Sequence, residues 1–442
     1  MTTKMMREVL RWIAYVLLAL IVSVVLVFSY YRLRGPSRSQ REALALLHKN
    51  YKPKQGTNAF PLLWFMDYDV PTNEMDAKVA EEVADARKRL ADTRDPFIYD
   101  PREARLPEPI ADESQLCGST AVGCLAKVEA ETGTMRSMLA AFPVTPSREK
   151  LFDQTDYYWN IFPADYRFLI APTPRNAQRV WLTALALRYV DGDRIGALAG
   201  VCRNIGAWRH MHGGGNSLSM EMISIVFGDG GLRLFADMLA KLPSDVPAPT
   251  ECDVALRPIE AADLDRCGEF SSDLAESDSI LADPAADLPW WSRAVNWVTY
   301  DREQTQAWQA EFGANFCGKE ATARLLRDEP LRSERLPRIA GRVECIANVA
   351  GCMFEDYSHY HIQYDKRTLD FAAHVRLGAT LLWLRQDASN DPVAARFDRR
   401  PPKLRSDGHD SGIDAAKGIL FVDNLDASRS ARFGLPISVA MR

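Results

Sequence analysis

The first pattern along this chain is an unbroken apolar run. Residues 12–31, WIAYVLLALIVSVVLVFSYY, carry no charge between Arg11 and Arg32. At about 1.5 Å rise per residue, a helix of this length matches the roughly 30 Å hydrocarbon core of a bilayer. The run exceeds the roughly 7–15 apolar residues of a secretory signal, and it ends in Phe28-Ser29-Tyr30-Tyr31-Arg32, bulky where a peptidase needs small side chains. Trp12, Tyr15, Tyr30 and Tyr31 sit near its two ends, at headgroup level. The expectation is an uncleaved anchor over 12–31 preceded by a short cytoplasmic tail, 1–11.

Beyond it, apolar residues recur at spacings of three and four, the period of amphipathic helices. Ser37 to Tyr51 reads as a short helix with Ser39 as a candidate N-cap. Asn73 to Asp92 reads as a second, capped by Asn73, with Val79, Val83, Ala86 and Leu90 on one face. Helices are predicted over Cys124–Phe142, Arg175–Val190, Arg194–His210 and Ser217–Leu242, the last three joined by short connections that favour antiparallel neighbours. Ser333–Asp356 and Arg367–Asp387 complete the set, with a further helical stretch opening at Trp290. Asp95–Glu113 and Asp387–Gly412 are rich in Pro and charge and read as loops. Gly418–Val422 and the terminal FGLPISVAM read as short strands of one hairpin.

The expected fold class is therefore mainly α: a single N-terminal transmembrane helix, then a multi-helix soluble domain with a minor β element near the C-terminus. The organisation read from the chain is a juxtamembrane helix and linker at 32–56, a helical domain at 57–250, a loop-rich helical connector at 251–330, and a C-terminal helical segment with a β hairpin at 331–442.

Charge narrows the partners. The whole chain has a formal charge of −5, and residues 42–442 alone hold 47 Lys and Arg against 58 Asp and Glu. An acidic domain with scattered charge does not suit nucleic acid, which needs clustered Lys and Arg. The anchor cannot orient itself, because Lys4, Arg7 and Arg11 are matched by Arg32, Arg34, Arg38 and Arg41 across it. Cysteine decides instead. All eight lie beyond the anchor, at Cys117, Cys124, Cys202, Cys252, Cys267, Cys317, Cys345 and Cys352, an even set that suits an oxidising compartment. The bulk of the chain is expected in a bacterial periplasm, tethered to the inner membrane; eight free thiols would instead mean a cytosolic domain.

Two pairs share a spacing of seven, Cys117/Cys124 and Cys345/Cys352. On a continuous helix these sulfurs would stand roughly 10 Å apart along the axis, too far for a bond. Gly118 and Gly123 make a looped bridge easy in the first pair, whereas the second lies in a better helix former. Cys252 and Cys267 bracket a Pro-containing loop they could staple, leaving Cys202 and Cys317 for a long-range bridge. No C-x-x-C occurs, which favours staples over zinc.

Among candidate chemistry, His210/His212 and His359/His361 form two H-x-H pairs that could hold a metal if they lay on strands, with Glu221, Glu355 or Asp356 completing the set. Polar loop ends that simply collect His explain them as well. His212-Gly213-Gly214-Gly215 is like the oxyanion turn of esterases, but its G-x-S-x-G partner is missing and the flanking pattern is helical. Gly228-Asp229-Gly230-Gly231 reads as a break in a helix. Asp67 and Asp69, set among apolar residues in FMDYDVP, are candidates for a buried general acid, as is Glu221. His409-Asp410-Ser411 is no triad on adjacency alone. Trp290 and Trp291 could stack on a partner, core packing being the plainer role. No cofactor motif occurs, and none is expected.

NAFPLLWFMDYDVP, Cys117…Cys124-Leu125-Ala126, CRNIGAWRHM…NSLSMEMI ending in Leu242-Pro243, and Cys252…Cys267-Gly268-Glu269-Phe270 resemble a family of single-pass, membrane-anchored proteobacterial envelope proteins to which no reaction is assigned. The resemblance spans roughly residues 57–270. RHMHGGGNSLSMEM departs from it, since a Ser-Asp-Ser run is expected in place of the glycines. The functional expectation is a non-enzymatic periplasmic binding or scaffold protein with an envelope protein partner. The alternatives are a periplasmic hydrolase of cell-wall, lipid or ester substrates, and a toxin-neutralising protein.

Overall fold

Apolar periodicity and capping side chains account for most of the helices in the computed structural model. It describes the chain except residues 1–2, 50, 93–96, 99, 107–114, 119, 121, 143–144, 166–167, 170–174, 282–288, 332–342, 354–357, 427, 429 and 438–442. The helices are α1 Thr3–Arg34, α2 Arg38–Leu47, α3 Phe60–Trp64, α4 Met75–Asp92, α5 Cys124–Ala130 and α6 Thr132–Leu139. They continue with α7 Thr145–Phe152, α8 Arg175–Val190, α9 Arg194–Met211, α10 Leu218–Lys241, α11 Thr250–Ala255 and α12 Cys267–Leu281. The last are α13 Trp290–Thr299, α14 Arg302–Gly313, α15 Lys319–Leu326, α16 Val349–Met353, α17 Ser358–Gln386 and α18 Val393–Asp398. Strands are few: β1 Phe97–Ile98, β2 Phe168–Leu169, β3 Ser411–Asp414, β4 Ile419–Asp423 and β5 Arg432–Pro436. The fold is mainly α, 65% helix against 5% strand.

The chain forms two compact units, and neither is continuous in sequence. The first comprises residues 1–50, 274–315 and 332–361. Its α1 is, among the described residues, the helix long and apolar enough to cross a membrane, and its most apolar 18-residue window is wholly exposed. α2 is capped by Ser37, not Ser39: the Ser37 hydroxyl accepts from Gln40 N while the Gln40 side chain accepts from Ser37 N, a capping box. Gln40 then donates to Glu311 and accepts from Gln304, which docks α2 on α14.

The second unit comprises residues 51–273, 316–331 and 362–442. Asp193 and Ser217 cap α9 and α10 through side-chain bonds to Gly196 N and Met220 N, at 3.0 and 3.3 Å. These two helices and α8 pack as neighbours, as the short connections predict. The glycines at 228–231 do not break α10. They admit neighbours instead: a Cβ at Gly228 would lie 2.7 Å from the Phe371 ring, and one at Gly231 would lie 2.8 Å from Ile205. β3, β4 and β5 form an antiparallel three-stranded sheet in that order, and Leu420, Val422, Phe433 and Leu435 join the same apolar cluster as α8, α9 and α10. The expected hairpin is thus present, with an extra strand and α18 drawn from the 387–412 stretch read as loop. A second cluster gathers Phe60, Trp64, Phe65, Val79, Trp181 and Trp208.

Other expectations change. The predicted Cys124–Phe142 helix is interrupted at Glu131, whose φ of −123° separates α5 from α6. The predicted Ser333–Asp356 helix is, where described, a 3-10 turn at Val343–Ile346 and then the short α16, while α17 begins at Ser358 rather than Arg367. Much of the 95–113 loop, and the end of FGLPISVAM, lie outside the described residues.

All eight cysteines are paired. Cys117–Cys124 and Cys345–Cys352 do close, with Cα separations of 5.3 and 5.8 Å, because neither segment is a continuous helix; Gly123 at φ +77° reverses the first. The staple expected between Cys252 and Cys267 is not formed. Cys202 on α9 bonds Cys252 on the short α11 packed beside it, and Cys267 bonds Cys317. Each of these bonds joins residues 50 apart. Non-reducing peptide mapping should recover Cys202–Cys252 and Cys267–Cys317 peptides, and recovery of a Cys252–Cys267 peptide would refute this connectivity. A Cys202→Ala/Cys252→Ala variant should lose about 4 kcal/mol in denaturant unfolding, from the entropy of a loop that long.

Candidate functional site

The second unit buries a set of acid–base side chains, and α17 carries much of it. Its run TLDFAAHVRLGATLLWL is apolar on most faces yet includes Thr368, Asp370, His374 and Arg376, all at most 7% exposed. Asp365, one turn earlier, is wholly buried. Each meets a partner from another segment. Arg324 of α15 grips Asp365 with two nitrogens at 2.9 and 2.6 Å, and Leu331 N adds a third bond. His374 Nδ1 lies 2.7 Å from Asp229 on α10 and its Nε2 2.8 Å from Asn424.

His409 is the most charged of these junctions. Its Nδ1 is 2.9 Å from Asp328 and its Nε2 3.0 Å from Asp370. Asp328 also accepts from Arg376 and Gly408 N, and Asp370 accepts from Leu425 N and Asp426 N. Burial opposes the imidazolium, but the hydrogen bonds and charges of the two carboxylates override it and push the His409 pKa up to about 9. Asp328 is held below its usual value, since His409 and Arg376 outweigh the burial that opposes its charge. His409 Nδ1 and Nε2 both donate here, so this is a structural cation and not a base next to Ser411.

The remaining cluster surrounds Glu221, the one buried residue of the three acid candidates. Ser217 caps α10 and so sets Glu221 in the first helical turn, wholly buried. Arg266 reaches Glu221 Oε2 with Nε at 3.0 Å and Nη2 at 2.8 Å, and Thr368 donates to Oε1 at 2.8 Å. Glu269 stands 3.6 Å from Arg266 Nε, and His212 Nδ1 stands 3.6 Å from Glu221 Oε1. Burial, reinforced by the Glu221 charge, raises the Glu269 pKa well above the carboxylate range. Burial lowers that of His212. With Glu269 and His212 neutral, Arg266 and Glu221 balance. The 212–215 turn presses on this cluster with no room for side chains: Gly213 and Gly214 have φ of +85° and +71°, and a Cβ at Gly268 would lie 2.3 Å from Gly215 O. These glycines serve close approach, not an oxyanion.

The other sequence candidates lie elsewhere. Asp67 and Asp69 alternate with buried Phe65, Met66, Tyr68 and Val70 and face outward, so they are exposed, not buried acids. Beneath them the buried Arg148 donates to the carbonyls of Phe65, Met66, Tyr68 and Val70. His210 is exposed while His212 is buried, so the two point apart at the end of α9. His359 and His361 fall in the first turn of α17, not on a strand, so they are about 200° apart around the helix. The His361 ring contacts Phe312, and the His359 side chain lies outside the described residues. Among the described residues no group of three or more His, Cys, Asp or Glu is placed to hold a metal.

Sequence reading missed His374, Asp328, Asp365 and Asp370. For Asp370 and His374 the signal was present, two ionisable residues four apart in a largely apolar run, whereas Asp328 and Asp365 lie in polar stretches that carry none. The accessible concavity next to this network is small, a cavity of about 170 Å³ lined by Arg327, Arg376, Lys403 and Arg405 with Asp328 and Asp407. Arg327 pairs with Glu329, and Arg376 with Asp328.

Comparison with known proteins finds no family model that matches the chain, and no curated protein or solved structure significantly similar to it. The likeness to proteobacterial envelope proteins rests on the quoted residues alone.

Two outcomes test the network. Arg266→Met should cost about 3–5 kcal/mol because it strands the buried Glu221, whereas Glu269→Gln, replacing a group already neutral, should cost under about 1 kcal/mol; equal losses in urea unfolding would sink this reading. For His409, a folded pKa of about 9 against 6.5 unfolded means its contribution is fully present below about pH 6.5 and is lost as pH rises through about 9. Wild-type stability should fall by about 3 kcal/mol between pH 6.5 and 10, and His409→Asn should flatten that slope. A flat wild-type profile refutes it.

Proposed function

We propose that the protein is a single-pass envelope protein, held in a bacterial inner membrane by α1, whose extracytoplasmic part binds or scaffolds another envelope component without catalysing a reaction. The observation that carries the reading is where its acid–base residues lie. Glu221, His374, Asp370 and His409 are at most 7% exposed and are engaged with partners inside the fold. A hydrolase built on Asp67, Asp69 and Glu221 would need them in one cleft, and the aspartates face solvent while Glu221 is buried. Four disulfides support the oxidising side of the membrane for the bulk of the chain.

Maleimide labelling of acid-quenched cells should modify no cysteine before reduction and eight after it. Eight reactive thiols without reductant would place the domain in the cytosol. Crosslinking in intact membranes should repeatedly recover one envelope protein with this chain, and its absence under several crosslinkers would remove the scaffold role.

A further inference from the structure

α13 is amphipathic in the reverse sense for a helix packed on a protein. At about 100° per residue, Trp290, Trp291, Ala294, Val295, Trp297 and Val298 occupy one arc of about 160°, and Ser292, Arg293, Asn296 and Thr299 occupy the other. The apolar arc faces outward: Trp290 is 74% exposed, Trp297 65%, Trp291 57% and Val295 55%. Ser292, Asn296 and Thr299, on the polar arc, are the half-buried positions. A soluble surface would present these faces the other way round.

What covers the apolar arc is indicated by where α13 is fastened. Arg32 is the first charge after the apolar span of α1. Its Nη2 donates to Trp297 O at 3.0 Å, its Nη1 lies 3.3 Å from Asp301 Oδ2, and its guanidinium carbon sits 5.8 Å from the centre of the Trp297 ring. The end of α13 is therefore pinned to the end of the span, at the level where hydrocarbon gives way to headgroups. The turn closed by Cys345–Cys352 is held at the same point, since Arg32 also donates to Ala347 O. That turn likewise exposes Val343, Ile346, Val349 and Met353, the last at 77%. Tryptophans concentrate at this depth because the indole ring is apolar and its N–H is polar.

Resting on the reading of α1 as a membrane anchor, we propose that α13 lies in the plane of the same phospholipid surface, with its tryptophan face among the upper acyl chains and its polar face on the protein. Such in-plane helices bury their apolar side about 5–10 Å into the interface. Together with α1 it gives the first unit a second attachment to lipid, which restrains that unit from rotating about a single helix.

The test uses the full chain carrying Trp12→Phe, reconstituted in 3:1 phosphatidylcholine/phosphatidylglycerol vesicles with and without dibrominated acyl chains. Flotation is measured first, then tryptophan quenching. Bound protein should lose roughly one third of its emission, three of the nine remaining tryptophans. Adding Trp290→Phe, Trp291→Phe and Trp297→Phe, which keep the face apolar, should abolish that quenching while flotation persists. Protein that floats but is not quenched overturns the proposal and leaves the anchor intact, and a crosslinked dimer in that sample would assign the face to a second copy. Quenching that survives the triple substitution also overturns it. Failure to float overturns the anchor, and this proposal with it.

Discussion

The second unit depends on one constraint: from Thr368 to Leu382 α17 is buried on all sides yet carries ionisable residues on several of them. An unpaired buried charge costs several kcal/mol, so each position on this helix dictates a partner somewhere else in the chain. Asp365 requires Arg324, His374 requires Asp229 and Asn424, Asp370 and Arg376 are joined through His409 and Asp328, and Thr368 fixes Glu221. The partners come from α10, from α15 and its following turn, and from the segment 406–426. Three stretches far apart in sequence are therefore held to one helix by directional bonds, where apolar packing alone would allow sliding.

Packing reinforces that register. A Cβ at Gly228 of α10 would meet Phe371 of α17 at 2.7 Å, and one at Gly378 of α17 would meet Leu232 of α10 at 2.9 Å. Each helix supplies a glycine to receive a large side chain from the other. The two helices thus approach closely, which shortens the reach from Glu221 to Thr368 and from Asp229 to His374. Apolar fit and polar bonding are two expressions of the same contact.

Much of the helical frame was legible because its signals are local. The spacing of apolar residues located α8, α9 and α10 to within a residue or two. The charge-free run marked α1. What was not legible depends on distance in space. The spacing of seven between Cys345 and Cys352 argued against a bond only while the segment was assumed helical, and the Cys202–Cys252 pairing follows from α11 packing on α9, which no local pattern announces. Likewise Asp67 and Asp69 look buried by their neighbours, but the turn that follows α3 leaves both on its outer side while Phe65, Met66, Tyr68 and Val70 are buried. Adjacency to Asp410 and Ser411 gave His409 no role, and its true partners, Asp328 and Asp370, are 81 and 39 residues away.

Charge balance ties these clusters to a single protonation state. Around α17, Arg376 and His409 neutralise Asp328 and Asp370 only while the imidazole is protonated, and near α10, Arg266 neutralises Glu221 only while Glu269 keeps its proton. Both protons are held by the fold: the Asp328 and Asp370 carboxylates hold the one on His409 against burial, and burial with the Glu221 charge holds the one on Glu269. Alkali therefore acts on both clusters in the same direction, leaving net negative charge inside the unit. The loss falls hardest where Asp370 anchors Leu425 and Asp426, because a deprotonated His409 can donate to only one of its two carboxylates. A side-chain network that excludes solvent this thoroughly stabilises one arrangement of the chain, and for the same reason its acids and bases face each other.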